Sequence, residues 1–288
     1  MKIARFNGGK IGIVTGDRIV DVTAICGVDP GEWPPVGMNR VIKNFATLRP
    51  KIEAALKTAP SVPLAEVTLQ TPNPWPNKLL AMPSNFRDHA AEMKTSGFSV
   101  PGGLPADEAG FFMKSSASMI GPAEPIVIPD RPGRLFHHEC EIATFIGTGG
   151  NDIPVDKALD HIFGYACLID VTMRGAGERV MRKSFDSFCP VGPWITTADE
   201  VGAPDDIDMK LWVNGELRQH SVANMMIVGI REQVQTCSEV TRLEPGDIIA
   251  SGTMAGVGPL VPGDSVEIDI ARIGRMQLAV TSRVAAVR

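Results

Sequence analysis

The stretch His138-Glu139-Cys140-Glu141-Ile142-Ala143-Thr144-Phe145-Ile146-Gly147 decides how this chain is read. Its β-branched and aromatic run, closed by a glycine, specifies a strand rather than a helix. Residues two apart on a strand share a face, so Glu139 and Glu141 project one way and His138 and Cys140 the other. Two carboxylates side by side repel unless a proton or a cation lies between them. Downstream, Ile162-Phe163-Gly164-Tyr165-Ala166-Cys167-Leu168-Ile169 is a second apolar run, and it stops at Asp170. A third carboxylate at a strand end completes a candidate all-oxygen site for a hard divalent cation. Taken singly, a solvated Glu-x-Glu face and a turn aspartate are the commoner fates of such residues.

Around this core the bulk properties are those of a globular protein. The 288 residues are 44% hydrophobic and 21% charged, enough for one large domain or two unequal ones. A formal net charge of −5 with no basic run gives no electrostatic basis for nucleic-acid binding. No apolar stretch reaches the length of a membrane span, and the opening Met1-Lys2-Ile3-Ala4-Arg5-Phe6-Asn7 lacks the apolar core of a secretory signal. Cysteines at 26, 140, 167, 189 and 237 form no CxxC pair, which fits reduced thiols and a cytoplasmic location.

Strands and turns dominate the pattern. Asn7-Gly8-Gly9 and Thr15-Gly16-Asp17 separate short strands at hairpin spacing. Leu48, Ile52, Ala55 and Leu56 recur at helical spacing, with Pro50 expected near the helix start. The proline-rich Thr71-Pro72-Asn73-Pro74-Trp75-Pro76 is the expected boundary between a small N-terminal α+β domain, residues 1–71, and a catalytic domain, residues 72–288. Asn214-Gly215 marks a hairpin, and Pro245-Gly246-Asp247 and Pro262-Gly263-Asp264 each turn into a strand. One amphipathic helix is expected with Met226, Ile230, Val234 and Cys237 on one side. The pattern gives a β-rich α+β fold.

Other residues have ordinary readings of their own. Lys183 reads as a surface lysine paired with Asp186, and Arg174 as a surface arginine or a carboxylate clamp. His89 and Glu92 share a face if their segment is helical, where a carboxylate fixes the imidazole tautomer and raises its basicity. Residues 93–110, rich in Gly, Pro and Ser, suit a mobile cover. Ser251-Gly252-Thr253 with Gly256-Val257-Gly258 is a glycine turn after a strand and does not match the dinucleotide fingerprint.

Five segments occur in one order: Asn85-Phe86-Arg87-Asp88-His89-Ala90-Ala91-Glu92, His138 to Glu141, Asp170-Val171-Thr172-Met173-Arg174, Lys183-Ser184-Phe185-Asp186, and Ser251 to Gly258. Together, over residues 76–280, they resemble the fumarylacetoacetate hydrolase superfamily. The resemblance implies a mixed β-sandwich roll, usually a homodimer. It makes Glu139, Glu141 and Asp170 the metal ligands, with Mg²⁺ as the ion and Mn²⁺ or Ca²⁺ as alternatives. It implies that Lys183 stabilises an enolate, that His89 and Glu92 form a lid dyad activating water, and that Arg87, Arg174 and Thr253 bind substrate. The implied activity is metal-dependent hydrolysis of a carbon–carbon bond in a β-diketo acid, of the acylpyruvate or diketo-deoxy sugar acid type. Decarboxylation, tautomerisation or isomerisation of a small oxo acid at the same site is a rival, as is a metal-binding oligomer without catalysis. Two departures stand out: family members often continue Arg-Asp-x-Gln, whereas this chain reads Arg174-Gly175-Ala176-Gly177, and the run from Arg174 to Lys183 is shorter than in many members; Met254 in place of a common proline is a minor one. The missing glutamine either weakens the usual hydrolysis or enlarges the pocket for a different substrate.

Overall fold

Cys140–Ile146 and Ile162–Ile169 pair antiparallel near the middle of a twelve-stranded sheet in the computed structural model, which describes residues 1–95, 97, 104 and 106–283. Outward from Ile162–Ile169 run Cys189–Thr197, Lys2–Phe6, Lys10–Thr15, Arg18–Asp21 and Ser61–Pro63. Outward from Cys140–Ile146 run Ile248–Ala250, Leu79–Ala81 and Phe112–Met113. A five-stranded sheet, ordered Glu216–Val222, Asp208–Val213, Ser265–Ile270, Gly274–Ser282 and Ile126–Ile128, forms the second layer.

Strand alternation sorts the central residues onto two cores. Ile142, Cys167 and Ile169 face Leu211, Val266, Ile268 and Leu278 of the smaller sheet. Ala143, Phe145, Ala166 and Leu168 face the other way, onto Met38, Val41, Phe45 and Ile52. A central strand pair buried on both faces accounts for the continuous apolar runs in the sequence. The fold is thus β-rich α+β with mixed sheets, as the pattern and the resemblance led one to expect.

The turn chemistry reads through to the structure. Asn214 (φ 53°) and Gly215 (φ 80°) close the hairpin between Asp208–Val213 and Glu216–Val222 in the left-handed region that such two-residue turns need. The expected boundary near residue 71 coincides with no break in the sheet. Lys2 and Ile3 pair with Thr196 and Ile195, and residues from both sides of it share one core.

Two helix expectations are corrected. The helix Phe45–Ala55 starts earlier than the apolar spacing suggests, so Pro50 lies inside it rather than at its first turn. The missing proline N–H weakens that helix, and burial of Phe45 and Ile52 against the sheet holds it. Met226 lies outside the amphipathic helix, which begins at Ile230 behind the cap Gly229; it is buried in the connection instead.

Candidate active site

Cys140 pairs with Ile169, so the next residues out, Glu139 and Asp170, stand opposite one another, and the Asp170 N–H donates to the Glu139 carbonyl at 2.9 Å. Glu139 sits just before the strand and Glu141 within it. Glu139, Glu141 and Asp170 each present an oxygen within 4.8 Å of the others, and all three are buried. The surface readings of the glutamate pair and the aspartate are therefore excluded by the fold.

Buried carboxylates at this spacing need compensating charge. Lys183 Nζ donates to Glu139 Oε2 at 2.7 Å, Asp170 Oδ2 at 2.6 Å and Thr172 Oγ1 at 2.6 Å. It is not the surface partner of Asp186 that its local sequence suggests. Arg174 Nη2 pairs with Glu139 Oε1 at 2.8 Å. Burial would raise the Glu139 carboxyl, but Lys183 and Arg174 outweigh it and hold the group well below the usual carboxylate range. Burial would likewise lower Lys183, yet Asp170, Glu139 and Glu141 keep it raised.

Glu141 differs. Its Oε2 accepts the Gly252 N–H at 2.9 Å, and among the described residues no cation lies within salt-bridge distance of it. Burial first, then repulsion from Asp170 and Glu139, pushes its carboxyl well up. An oxygen-only cluster containing one uncompensated carboxylate fits a hard divalent cation.

The helix Arg87–Thr95 carries His89 and Glu92 on one face. His89 is buried, with Nδ1 3.1 Å from Glu92 Oε2, and Glu92 Oε1 accepts the Gly256 N–H at 2.9 Å. Those two contacts outweigh burial and hold the Glu92 carboxyl below its ordinary value. Asn85 ties the helix entry to the glycine turn: Nδ2 donates to Ser251 O at 2.8 Å and Val228 O at 2.9 Å. Gly252, at φ 79°, has no room for a side chain, since a Cβ would meet Asn85 Cβ at 2.6 Å. Arg87 is not gathered in. It lies two positions before His89, about 200° around the helix, and its side chain is exposed. The cover expected over 93–110 falls in part on residues 96, 98–103 and 105, outside the described residues.

Two buried residues of the site escape the sequence reading. Lys114, in Phe111-Phe112-Met113-Lys114, bonds Asp170 Oδ1 and donates to Lys183 O at 2.7 Å and Phe188 O at 3.1 Å. A lysine ending an apolar run with no nearby acid is the signal that would have found it. Gln219 accepts from Cys140 N at 3.0 Å and lies 2.9 Å from His138 Nδ1, while its Nε2 donates to Thr253 Oγ1 at 2.8 Å and Met254 O at 2.9 Å. Thr253 is thereby fixed with its hydroxyl oxygen as acceptor, which leaves its O–H to donate elsewhere. His138, fully buried beside Gln219, has its imidazole held down at about 4 by that burial.

The sequence model of the fumarylacetoacetate (FAA) hydrolase C-terminal family matches residues 78–281. A maleylpyruvate hydrolase of Aquipseudomonas alcaligenes is 38% identical over 288 residues, spanning 98% of this chain and 100% of the relative. The crystal structure of maleylpyruvate hydrolase from Sphingobium sp. SYK-6, in complex with manganese(II) ion and pyruvate, is similar with a TM-score of 0.90 at 45% identity, covering 99% of this chain and 100% of that one. The oxaloacetate tautomerase YisK of Bacillus subtilis is 35% identical over 225 residues, 74% of this chain and 73% of its own length.

Proposed function

The chain belongs to the fumarylacetoacetate hydrolase family, and from that premise we propose that it is a metal-dependent acylpyruvate hydrolase. The observation that carries the reading is the buried Glu139–Glu141–Asp170 cluster with Lys183 bonded into it, together with the His89–Glu92 dyad. Glu139, Glu141 and Asp170 would hold the ion, for which Mg²⁺ is the first candidate and Mn²⁺ and Ca²⁺ the alternatives, and it would supply Lewis acidity toward an enolised substrate.

The chain's own groups do the rest. The Glu92 carboxylate holds the His89 proton on Nδ1, which leaves Nε2 to take a proton from water. That water attacks the distal carbonyl, and the carbon–carbon bond breaks with its electron pair leaving as an enolate. The Lys183 ammonium, held by Glu139, Asp170 and Thr172, places its positive charge beside the developing oxyanion. The Thr253 hydroxyl and the Arg174 guanidinium take the substrate carboxylate. Reprotonation of the enolate gives pyruvate beside a carboxylic acid.

A tautomerase or decarboxylase at the same site, suggested by the YisK relative, moves protons without an attacking water. The His89–Glu92 pair is the base that activation of water requires and would serve a proton-moving rival as well, so what favours hydrolysis is the likeness to maleylpyruvate hydrolases over nearly the whole chain. We further read the protein as a cytoplasmic homodimer with a catabolic role. Glu139→Gln tests the site: metal-dependent loss of the acylpyruvate enol absorbance should vanish, and wild-type turnover in that variant would overturn the metal assignment.

A further inference from the structure

Asn85 is fully buried at the entry to the helix Arg87–Thr95, and its side-chain amide bonds only to backbone. Nδ2 donates to Ser251 O at 2.8 Å and to Val228 O at 2.9 Å, while Oδ1 accepts the Val228 N–H at 2.8 Å. Two carbonyls on one side and an N–H on the other decide which end of the amide is nitrogen. The backbone here is held as well: Asn85 O accepts the Ile227 N–H at 2.8 Å, and Phe86 bridges to Met226. The helix entry is a fixed platform, and the Ser251 carbonyl is tied to it.

That carbonyl shares a trans peptide with the Gly252 N–H, and in such a plane the two point in opposite directions. Asn85 draws the carbonyl one way, and the N–H points the other, onto Glu141 Oε2 at 2.9 Å. The neighbouring planes have holds of their own. The Ser251 N–H donates to Ile142 O at 3.0 Å, and the Ser251 hydroxyl donates to Gly252 O at 2.9 Å. Gly252, at φ 79°, is the residue about which the plane between them could turn over, because glycine takes φ of either sign at little cost. A turned plane would set a carbonyl oxygen against the Glu141 carboxylate in place of an N–H. The same turn continues to Gly256, whose N–H donates to Glu92 Oε1 at 2.9 Å. One glycine turn thus supplies an N–H to a buried carboxylate of the cluster and another to the partner of His89.

We propose that Asn85 is a positioning residue: by holding the Ser251 carbonyl it keeps the Gly252 N–H on Glu141 and the Gly256 N–H on Glu92. One buried amide then sets a metal ligand and the water-activating dyad in register. Toward Glu141 the proposal stands on the geometry of the cluster; toward the dyad it rests on the hydrolase reading above. Asn85 acts through the backbone of the turn, as an outer partner that orients a ligand and strengthens its hold on the ion.

Asn85→Leu keeps much of the volume and removes both donors and the acceptor, whereas Asn85→Ser keeps one donor and is the milder change. Mn²⁺ affinity is read without substrate, from the electron paramagnetic resonance signal of the free ion over folded protein. Asn85→Leu should weaken it by roughly 10-fold or more, with Asn85→Ser between it and wild type. With Mn²⁺ saturating, kcat for acetylpyruvate should still fall by roughly 10- to 100-fold in Asn85→Leu, and KM should change less. A merely structural role would lower the urea midpoint and leave the Mn²⁺ affinity of the folded protein where it was. Wild-type Mn²⁺ affinity in folded Asn85→Ser overturns the hold on Glu141, even where Asn85→Leu does not fold. Weaker Mn²⁺ binding with wild-type kcat at saturation overturns the link to the dyad. A wild type that turns over no acylpyruvate overturns the hydrolase reading, and the Mn²⁺ titration still decides whether Asn85 positions Glu141.

Discussion

Gln219→Leu removes one buried amide that four groups share. Gln219 is 1% exposed, and its bonds to Cys140 N–H, His138 Nδ1, Thr253 Oγ1 and Met254 O run from 2.8 to 3.0 Å. Leucine fills much the same volume, so the cavity contribution is small and the loss is mainly polar. The Cys140 N–H, the His138 ring N–H and the Met254 carbonyl are left without their partner. Each buried unsatisfied group costs about 1–3 kcal/mol. Because one residue serves all of them, the costs do not simply add, and a net loss of about 3–5 kcal/mol is expected. That is a large part of a typical stability of about 5–15 kcal/mol. Urea unfolding should show it as a lower midpoint at unchanged slope. With Gln219 gone, Thr253 loses the donor that fixes its hydroxyl, so KM for acetylpyruvate should rise more than kcat falls. A stability change below about 1 kcal/mol, or an unchanged KM, would refute the reasoning.

Lys114→Met should be as damaging for a different reason: it takes a cation from buried Asp170 and orphans two carbonyls, a loss of about 3–5 kcal/mol readable by urea unfolding. A wild-type midpoint would show that Lys114 is not what compensates Asp170. Burial pushes the Cys26 thiol up to about 11 and those of Cys189 and Cys237 up to about 12, so little thiolate forms at neutral pH. A chromogenic disulfide reagent at about pH 8 should therefore react quickly with no more than one of the 5 cysteines in the native protein, and with all 5 in denaturant. Fast reaction of several thiols in the native protein would contradict the burial described for them.

The central strands were legible because both faces are buried, which writes an unbroken apolar run into the sequence and leaves its polar ends conspicuous. Glu139, Glu141 and Asp170 stood out for that reason, and the register of Cys140 on Ile169 is what turns them into one cluster. The hairpin at Asn214-Gly215 was legible from its turn chemistry. Gln219 was not, because a register shift sets Leu211 against Gln219 but Trp212 against Leu217, so Gln219 is buried while Leu217 is exposed. Simple alternation assigns both to one face. Lys114 was hidden because its partner Asp170 is 56 residues away in sequence. Arg87, which the resemblance implies as a substrate ligand, is exposed and about 200° around the helix from His89.

Acetylpyruvate in ¹⁸O-water with purified protein, with and without Mn²⁺, puts the central claim to its most direct test. Water-dependent cleavage predicts equimolar pyruvate and acetate, formed only with metal, with one ¹⁸O in the acetate carboxylate beyond that already present from solvent exchange of the substrate. Absence of cleavage, together with metal-dependent interconversion of the keto and enol forms of oxaloacetate, would contradict it and make the protein a tautomerase.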